Sequence, residues 1–337
     1  MKYLSFILLL LHGTLFVAAQ PNSLVQRRSS IPFTFIEYNC ENLFDIQHDT
    51  LKNDNEFLPD SNRRWTYSRY KRKVNDIGRV IHQCGGDAKD WRLPDMIAML
   101  EVENDSVMTM LTRRSMLASA GYRYVMTQSD DERGIDVALL YNPLTTRLLS
   151  YESIRVDYKP KTARPTRDIL HATMLLRTDD TLHVFAVHAP SRRGGRRSSE
   201  PYRIHIVNKV LHVTDSIFSQ SPNAKIIICG DFNDYSYNKS IKLIRAARFD
   251  EPSQYAKGKW HPSEVVGTYR YQGVWDSLDH IFISPSLSPT LSHCYIMDAP
   301  WMLDGQPGTL QPNRTYRGTA YNAGVSDHLP LVMELNF

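Results

Sequence analysis

Residues 225–229 read KIIIC, and GDFND follows at once at 230–234. A strand with one wet face alternates apolar and polar side chains, so an unbroken apolar run must be covered on both faces. MIAML (96–100), IDVALLY (135–141), LHVFAV (182–187), HIFIS (280–284) and LPLVMEL (329–335) are runs of similar character. FTFIEY (33–38), YRYVM (122–126) and ILHATMLL (169–176) add further strands between polar turns. In SRYKRKVNDIGRVI (68–81), Tyr70, Val74, Ile77 and Ile81 recur at helical spacing and predict an amphipathic helix. A second helix is expected over 200–217. The pattern is that of one α/β domain with about two sheets and helices outside them.

The chain has 337 residues, 42% hydrophobic and 23% charged, ordinary globular values with ample material for a large core. MKYLSFILLLLHGTLFVAAQ opens it with one Lys, an apolar run and then small residues at Ala18 and Ala19. This has the form of a secretory signal peptide, residues 1–19, and implies a secreted or periplasmic protein. A membrane anchor is the competing reading, but the run is short for a span and no basic flank follows at once. Residues 20–31 are polar and form a linker, leaving 32–337 as the folded domain. Lys2 is the only charge before the cut, so the net charge of +4 becomes +3. Export permits disulfides, and four cysteines (40, 84, 229 and 294) allow three pairings. Cys40 and Cys229 end apolar strands and read first as small core residues.

Polar residues cluster at the strand ends. Asn39, Glu41 and Asn42 follow the first strand, and Glu101 and Glu103 follow MIAML. His188 follows LHVFAV, and Asp231 and Asn233 follow KIIIC. Asp279 precedes HIFIS, and Asp327 and His328 lie just before the last strand. If these ends converge, they form an acidic pocket with two histidines. Such a pocket suits a hard divalent cation, which prefers oxygen ligands and keeps several waters. The ion polarises a phosphate oxygen and acidifies a bound water, while a nearby His handles developing charge. Taken singly, GDFND is a polar turn and SDHLP a cap or solvated turn.

Taken in order, EYNCENLFD, MLEVEN, RGIDVALLYNP, VHAPSRRGG, GDFND, LDHIFIS and SDHLP resemble the endonuclease/exonuclease/phosphatase superfamily, as a secreted bacterial-type member. That group includes deoxyribonuclease-like nucleases, sphingomyelinases and inositol polyphosphate 5-phosphatases. The resemblance runs from about residue 33 to the end. It implies a four-layer sandwich, two packed mixed β-sheets flanked by helices, with the site at one rim. It also implies a Mg²⁺ or Mn²⁺ cofactor held by Asn39, Glu101 and Asp327. Asp231, helped by Asn233, would align or deprotonate the attacking water. His328 would face the phosphate with Asp279 orienting it, and His188 would contact the phosphate. Leu100 stands where many relatives carry Gln, and Glu103 competes with Glu101 for the ligand role; Glu101 directly follows the strand and is preferred. Asp136, inside IDVALLY, is either a buried partner of the site or a strand residue facing water.

Two basic stretches remain. NRRWTYSRYKRK (62–73) interleaves basic and aromatic residues, but Tyr70 belongs to the helix stripe, which favours a solvated helix face. SRRGGRRSSEPYR (191–203) follows His188, so Arg192, Arg193, Arg196 and Arg197 are expected on the substrate. The expected activity is metal-dependent hydrolysis of phosphodiesters in DNA or RNA. A lipid headgroup or inositol phosphate is the alternative, for which QYAKGKWHP (254–262) and APWMLDG (299–305) would have to expose Trp260, Trp301 and Met302. An inactive phosphate-binding relative is a third reading, and no expected polar position is missing to support it. A monomer without a stable protein partner is expected.

Overall fold

The computed structural model describes residues 30–87, 89–158, 164–192 and 195–337. The leader, residues 20–29 of the linker, and Arg193 lie outside the described residues. Ile31–Phe337 forms one compact unit. Its strands are β1 (Pro32–Leu43), β2 (Met96–Val102), β3 (Arg123–Met126), β4 (Asp136–Tyr141), β5 (Thr146–Ile154), β6 (Ile169–Leu176), β7 (Thr181–His188), β8 (Lys225–Asp231), β9 (Tyr269–Tyr271), β10 (Val274–Asp276), β11 (Asp279–Ile283) and β12 (Leu291–Ile296). Four two-residue strands follow: β13 (Leu303–Asp304), β14 (Gln311–Pro312), β15 (Tyr316–Arg317) and β16 (Ala320–Tyr321). The last strand is β17 (Leu331–Asn336). The helices are α1 (Tyr67–Gln83), α2 (Asp105–Arg114), α3 (Arg196–Gln220) and α4 (Lys239–Ala246).

Two mixed sheets pack face to face, one ordered β12-β17-β1-β2-β4-β3 and the other β11-β8-β7-β6-β5. The unbroken apolar runs now have their reason. Along β8, Ile227 and Cys229 point into the core between the sheets, while Ile226 and Ile228 point into a second core with α3 and α4. Each such isoleucine contributes about 1.5–3 kcal/mol on burial, so both faces of the strand are selected to be apolar. Across the other sheet, α1 buries Tyr70, Val74, Ile77 and Ile81, the stripe its periodicity predicts. The fold is therefore the expected four-layer sandwich. All four cysteines are unpaired thiols, with Cys40, Cys84 and Cys229 buried.

The topology also decides where the polar strand ends go. β1 runs parallel to β2, and β7 parallel to β8, so these four C-terminal ends share a rim within each sheet. β11 is antiparallel to β8, and β17 to β1, which brings their N-terminal ends to that same rim. In register, Asp231 sits opposite both His188 on β7 and Asp279 on β11. Gly230 takes φ +136°, and a Cβ there would run into the carbonyl of Val187. Only glycine lets β8 lie this close to β7 just before Asp231.

Helix α3 begins earlier than the sequence suggests. Residues 196–203 are helical, and Ser198 and Ser199 both donate to the carbonyl oxygen of Gly195 at 2.9 Å, holding the first turn. Pro201 sits inside that helix. No helix among the described residues is long and apolar enough to cross a membrane.

Candidate active site

The register shifts in β1 and β2 between Asn39 and Leu43 and between Leu100 and Val102 mark bulges. Glu41, Asn42 and Glu101 there have φ of 49°, 54° and 59°, and Asn233 beyond β8 has 50°. Left-handed backbone is costly for such residues and clusters where side chains are re-aimed for function. The Glu101 carboxylate accepts the backbone N–H of Asn42 at 2.8 Å through Oε2, and its Oε1 lies 3.7 Å from His188 Nε2. The same imidazole nitrogen lies 3.7 Å from Asp231 Oδ2. Asn39 donates through Nδ2 to that oxygen at 3.2 Å, and Asp231 Oδ1 accepts the backbone N–H of Asn233 at 2.7 Å. The Asn233 amide is itself fixed by donating to the carbonyl of Ala189 at 3.0 Å.

On the other side of Asp231, His328 Nδ1 meets Asp279 Oδ2 at 2.7 Å, and Thr268 donates to the same oxygen. Tyr269 lies over the His328 ring with centroids 4.9 Å apart. Asp231, Asp279 and His328 can each offer a ligand atom within 4.8 Å of the others. Asn39, Glu101, His188, Asp231, Asn233, Asp279 and His328 are thus brought together. Asp327 sits at the edge and is ion-paired to Arg314 at 3.1 Å. Glu103 points elsewhere: its carboxylate accepts the backbone N–H of Asp45 at 2.7 Å. The bulge at Glu101 aims one acidic residue at the site and the other away from it. Asp136 is buried and accepts from Thr127 and Ser129, pinning that loop.

The electrostatics separate the roles. Burial keeps His188 far below the usual histidine range, and Arg167 and Arg133 push the same way, so this imidazole is neutral. His328 is buried too, which is the largest single influence and lowers it, but Asp279, by charge and hydrogen bond, with Asp327 and Asp231 together outweighs burial and holds it charged well above that range. Burial, and then the Asp279 charge, raises Asp231 to about 7. Glu37 lies fully buried on β1, with neither carboxyl oxygen hydrogen-bonded among the described residues. Burial and then Asp279 and Asp231 raise it far above the carboxylate range, so it sits protonated and adds no charge. Its signal in the sequence was a lone acid in an apolar strand. Arg133, 3.9 Å from Glu101 Oε1, and Arg167, which donates to Ala189 at 2.8 Å, gave no signal beyond a generic basic residue.

Glu103 supplies a test of the bulge. Burial raises its carboxyl to about 8, against the hydrogen bond from Asp45, with Asp45, Asp54 and Asp49 raising it further. The native state therefore holds a proton that the unfolded chain releases at lower pH. The stability this confers is full below the unfolded value of about 4.3 and is lost as pH rises through about 8. Glu103→Gln, always neutral, is expected to match the wild type at pH 4 and to melt clearly higher than it at pH 8.5. Thermal melts at the two pH values check this.

The donor set fits a hard divalent cation. Glu101 Oε1 accepts no hydrogen bond among the described residues and, like Asp231 Oδ2, lies 3.7 Å from His188 Nε2. The Asn39 amide oxygen accepts the Glu41 backbone N–H at 3.0 Å and keeps one lone pair for a cation. The arginines are divided. Arg192 is committed within the fold, to the Asn233 carbonyl at 2.8 Å, Asp234 at 3.1 Å and Asn238 at 2.6 Å. Buried Arg203 pairs with Asp234 at 2.8 Å. Arg196 and Arg197 are exposed at the start of α3, Arg196 lying 5.7 Å from the Tyr237 ring centre. In the 62–73 stretch Trp65 is buried and donates to the Phe44 carbonyl at 3.0 Å, so it cannot stack on a base. Trp301 packs under Arg79 at 4.0 Å and Met302 is buried, while Trp260 alone of the three is exposed.

The model of the endonuclease/exonuclease/phosphatase family matches residues 34–336. Among solved structures, a family protein from Bacteroides thetaiotaomicron aligns with TM-score 0.61 and 16% identity, over 91% of this chain and 98% of that one. A mannosyl-6-phosphatase from the same organism gives 0.59 and 14%, over 90% and 100%. The human nocturnin catalytic domain with bound sulfate gives 0.55 and 16%, over 90% and 94%. No curated protein matches the sequence. Members of the matched family are hydrolases of phosphoester bonds and generally use divalent metals. By the extent of that match, and with its polar strand ends gathered at one rim, this chain belongs to the endonuclease/exonuclease/phosphatase family.

Proposed function

We propose that the protein is a secreted, divalent-metal-dependent phosphodiesterase acting on nucleic acid. The observation that carries the reading is the placement of Asp231 between a neutral and a charged imidazole, His188 and His328, with Glu101 beside it. Glu101 and Asn39 would hold the Mg²⁺ or Mn²⁺ beside Asp231, and the ion would polarise a phosphate oxygen and acidify water when bound. Asp231, poised near neutrality and fixed by Asn39 and the Asn233 backbone, takes the proton of the attacking water. His328, held charged by Asp279, donates toward the phosphate oxygens. His188, neutral and buried, offers an uncharged contact to the same phosphate.

A diesterase is separated from a monoesterase by comparing bis(p-nitrophenyl) phosphate with p-nitrophenyl phosphate in Mg²⁺. Faster turnover of the diester is expected; a clear preference for the monoester would move the assignment toward the phosphatases. For nucleic acid, the exposed pair at the start of α3 is the electrostatic footprint. Arg196→Ala with Arg197→Ala should weaken single-stranded DNA binding and make its log–log salt slope shallower by about 0.7 for each phosphate no longer neutralised. Arg192→Ala should leave that slope unchanged, because its guanidinium is spent on Asp234 and Asn238. Filter binding across a salt series reads both.

A further inference from the structure

Next to His328, reached through Tyr269, lies an open cavity of about 470 Å³. That volume is in the range of pockets that take one small ligand. Its walls are the β9–β10 hairpin and the segment from β14 to Gly318, with Tyr269, Tyr271, Arg270, Arg314 and Arg317 among the lining residues. Tyr269 joins it to the site, because its ring lies over His328 and Arg314 reaches Asp327 at 3.1 Å. Tyr271 lies nearly parallel to Tyr269 at 13°, with centroids 6.5 Å apart, and is 57% exposed. Tyr271 is held by its cross-strand partner Val274 and by Tyr269, which leaves an exposed, fixed aromatic face that a flat partner can cover.

The three arginines have donors to spare. A guanidinium carries five N–H groups. Arg314 holds Asp327, Arg317 holds Asp304, and Arg270 donates to the Leu310 carbonyl. The Nε of Arg270 is buried with no partner among the described residues. Among the described residues, three arginines and no carboxylate line the cavity, the acids near them (Asp327, Asp304, Glu41 and Glu264) lying outside its lining. The wall itself therefore offers donors suited to an anion with several oxygens.

We propose that this cavity is a subsite for one unpaired nucleotide next to the scissile phosphate, its base against Tyr271 and its second phosphate on Arg270, Arg314 and Arg317. The proposal rests on the nuclease reading and narrows it to single-stranded or short oligonucleotide substrates. A sugar phosphate is a poorer fit. A hexose phosphate would use the same arginines with Gln272 and Gln311, but its puckered ring matches the exposed flat face of Tyr271 less well than a planar base does. Stacked rings and clustered arginines instead match a base and a phosphate.

The test uses the full mature protein in Mg²⁺ and two esters with the same leaving group, thymidine 5′-(p-nitrophenyl phosphate) and methyl p-nitrophenyl phosphate. The wild type is expected to favour the nucleotide ester in kcat/KM. Tyr271→Ala should lower that ratio by about 5- to 100-fold, the size of one base–aromatic stack. Arg317→Gln should lower it less for this ester, which lacks a second phosphate. A parallel titration with thymidine 3′,5′-bisphosphate and with mannose 6-phosphate, followed by calorimetry, reads the subsite without turnover. The bisphosphate should bind the wild type and weaken at least fivefold in each variant. If both esters are hydrolysed and the ratio does not move in Tyr271→Ala, the subsite is wrong and the nuclease reading stands. If neither is hydrolysed but the variants lose bisphosphate binding, the subsite stands and the nuclease reading falls. Equal or tighter binding of mannose 6-phosphate overturns the nucleotide assignment.

Discussion

Asp231→Ala is expected to lower turnover of a phosphodiester by about 10²–10⁴-fold, the range for loss of a positioned proton acceptor. The fold should survive, because Asp231 stands at a strand tip and its removal relieves its like-charge repulsion with Asp279. Circular dichroism and thermal melting of the variant establish that point before the kinetics are read. The wild-type rate should also carry an acidic limb. Asp231 must be ionised to take a proton, so activity climbs as pH rises through the titration of its carboxyl, which burial and the Asp279 charge raise and a bound cation lowers. His328 stays charged above that range and does not limit the rate there. His328→Ala should fall by a comparable factor, since Asp279 would then orient nothing.

Arg203→Met carries the largest effect expected on stability, a loss of about 3–5 kcal/mol. Arg203 and Asp234 are both essentially buried, and their ion pair at 2.8 Å joins α3 to the turn that follows β8. Removing the cation leaves Asp234 with Ser240 at 2.6 Å and Arg192 at 3.1 Å, and a buried carboxylate short of a partner. Urea unfolding should show a lower midpoint with an unchanged slope. Adding Asp234→Leu should recover part of the loss if the cost lies in a buried charge short of a partner, and no more than part, because it also strips Arg192 and Ser240 of theirs. If Arg203→Met proves as stable as the wild type, the pair is not what fastens α3 to the rim.

These two residues mark what could and could not be read in advance. The strands and α1 were legible because their patterns are local: apolar runs of both faces in β8, and a helical stripe at Tyr70, Val74, Ile77 and Ile81. The candidate site was legible because the order of polar strand ends is itself a signal, and topology then gathers them. Pairing across space was not legible. Arg192 and Arg203 stand in a stretch of arginines that read as a substrate loop, yet both turn inward to Asp234. Nothing local distinguishes them from Arg196 and Arg197, which face solvent. Lys73 shows the same limit: within a basic, exposed-looking helix it is buried and donates to Thr315 at 2.6 Å, 242 residues away. The choice between Glu101 and Glu103 turned on a bulge, which a strict alternation of faces cannot foresee. The β9–β10 hairpin escaped because three-residue strands with mixed burial leave too short a pattern to detect.

The central claim, that the rim around Asp231 is a metal-dependent nuclease centre, is tested most directly by nicking of supercoiled plasmid with the mature protein. The assay runs in Mg²⁺ and in Mn²⁺, with EDTA and with Asp231→Ala as controls. The predicted result is conversion to open-circular DNA that needs the metal and is lost in the variant. A folded protein that leaves both plasmid and single-stranded DNA intact in either metal, or an Asp231→Ala variant that nicks at the wild-type rate, would contradict that claim.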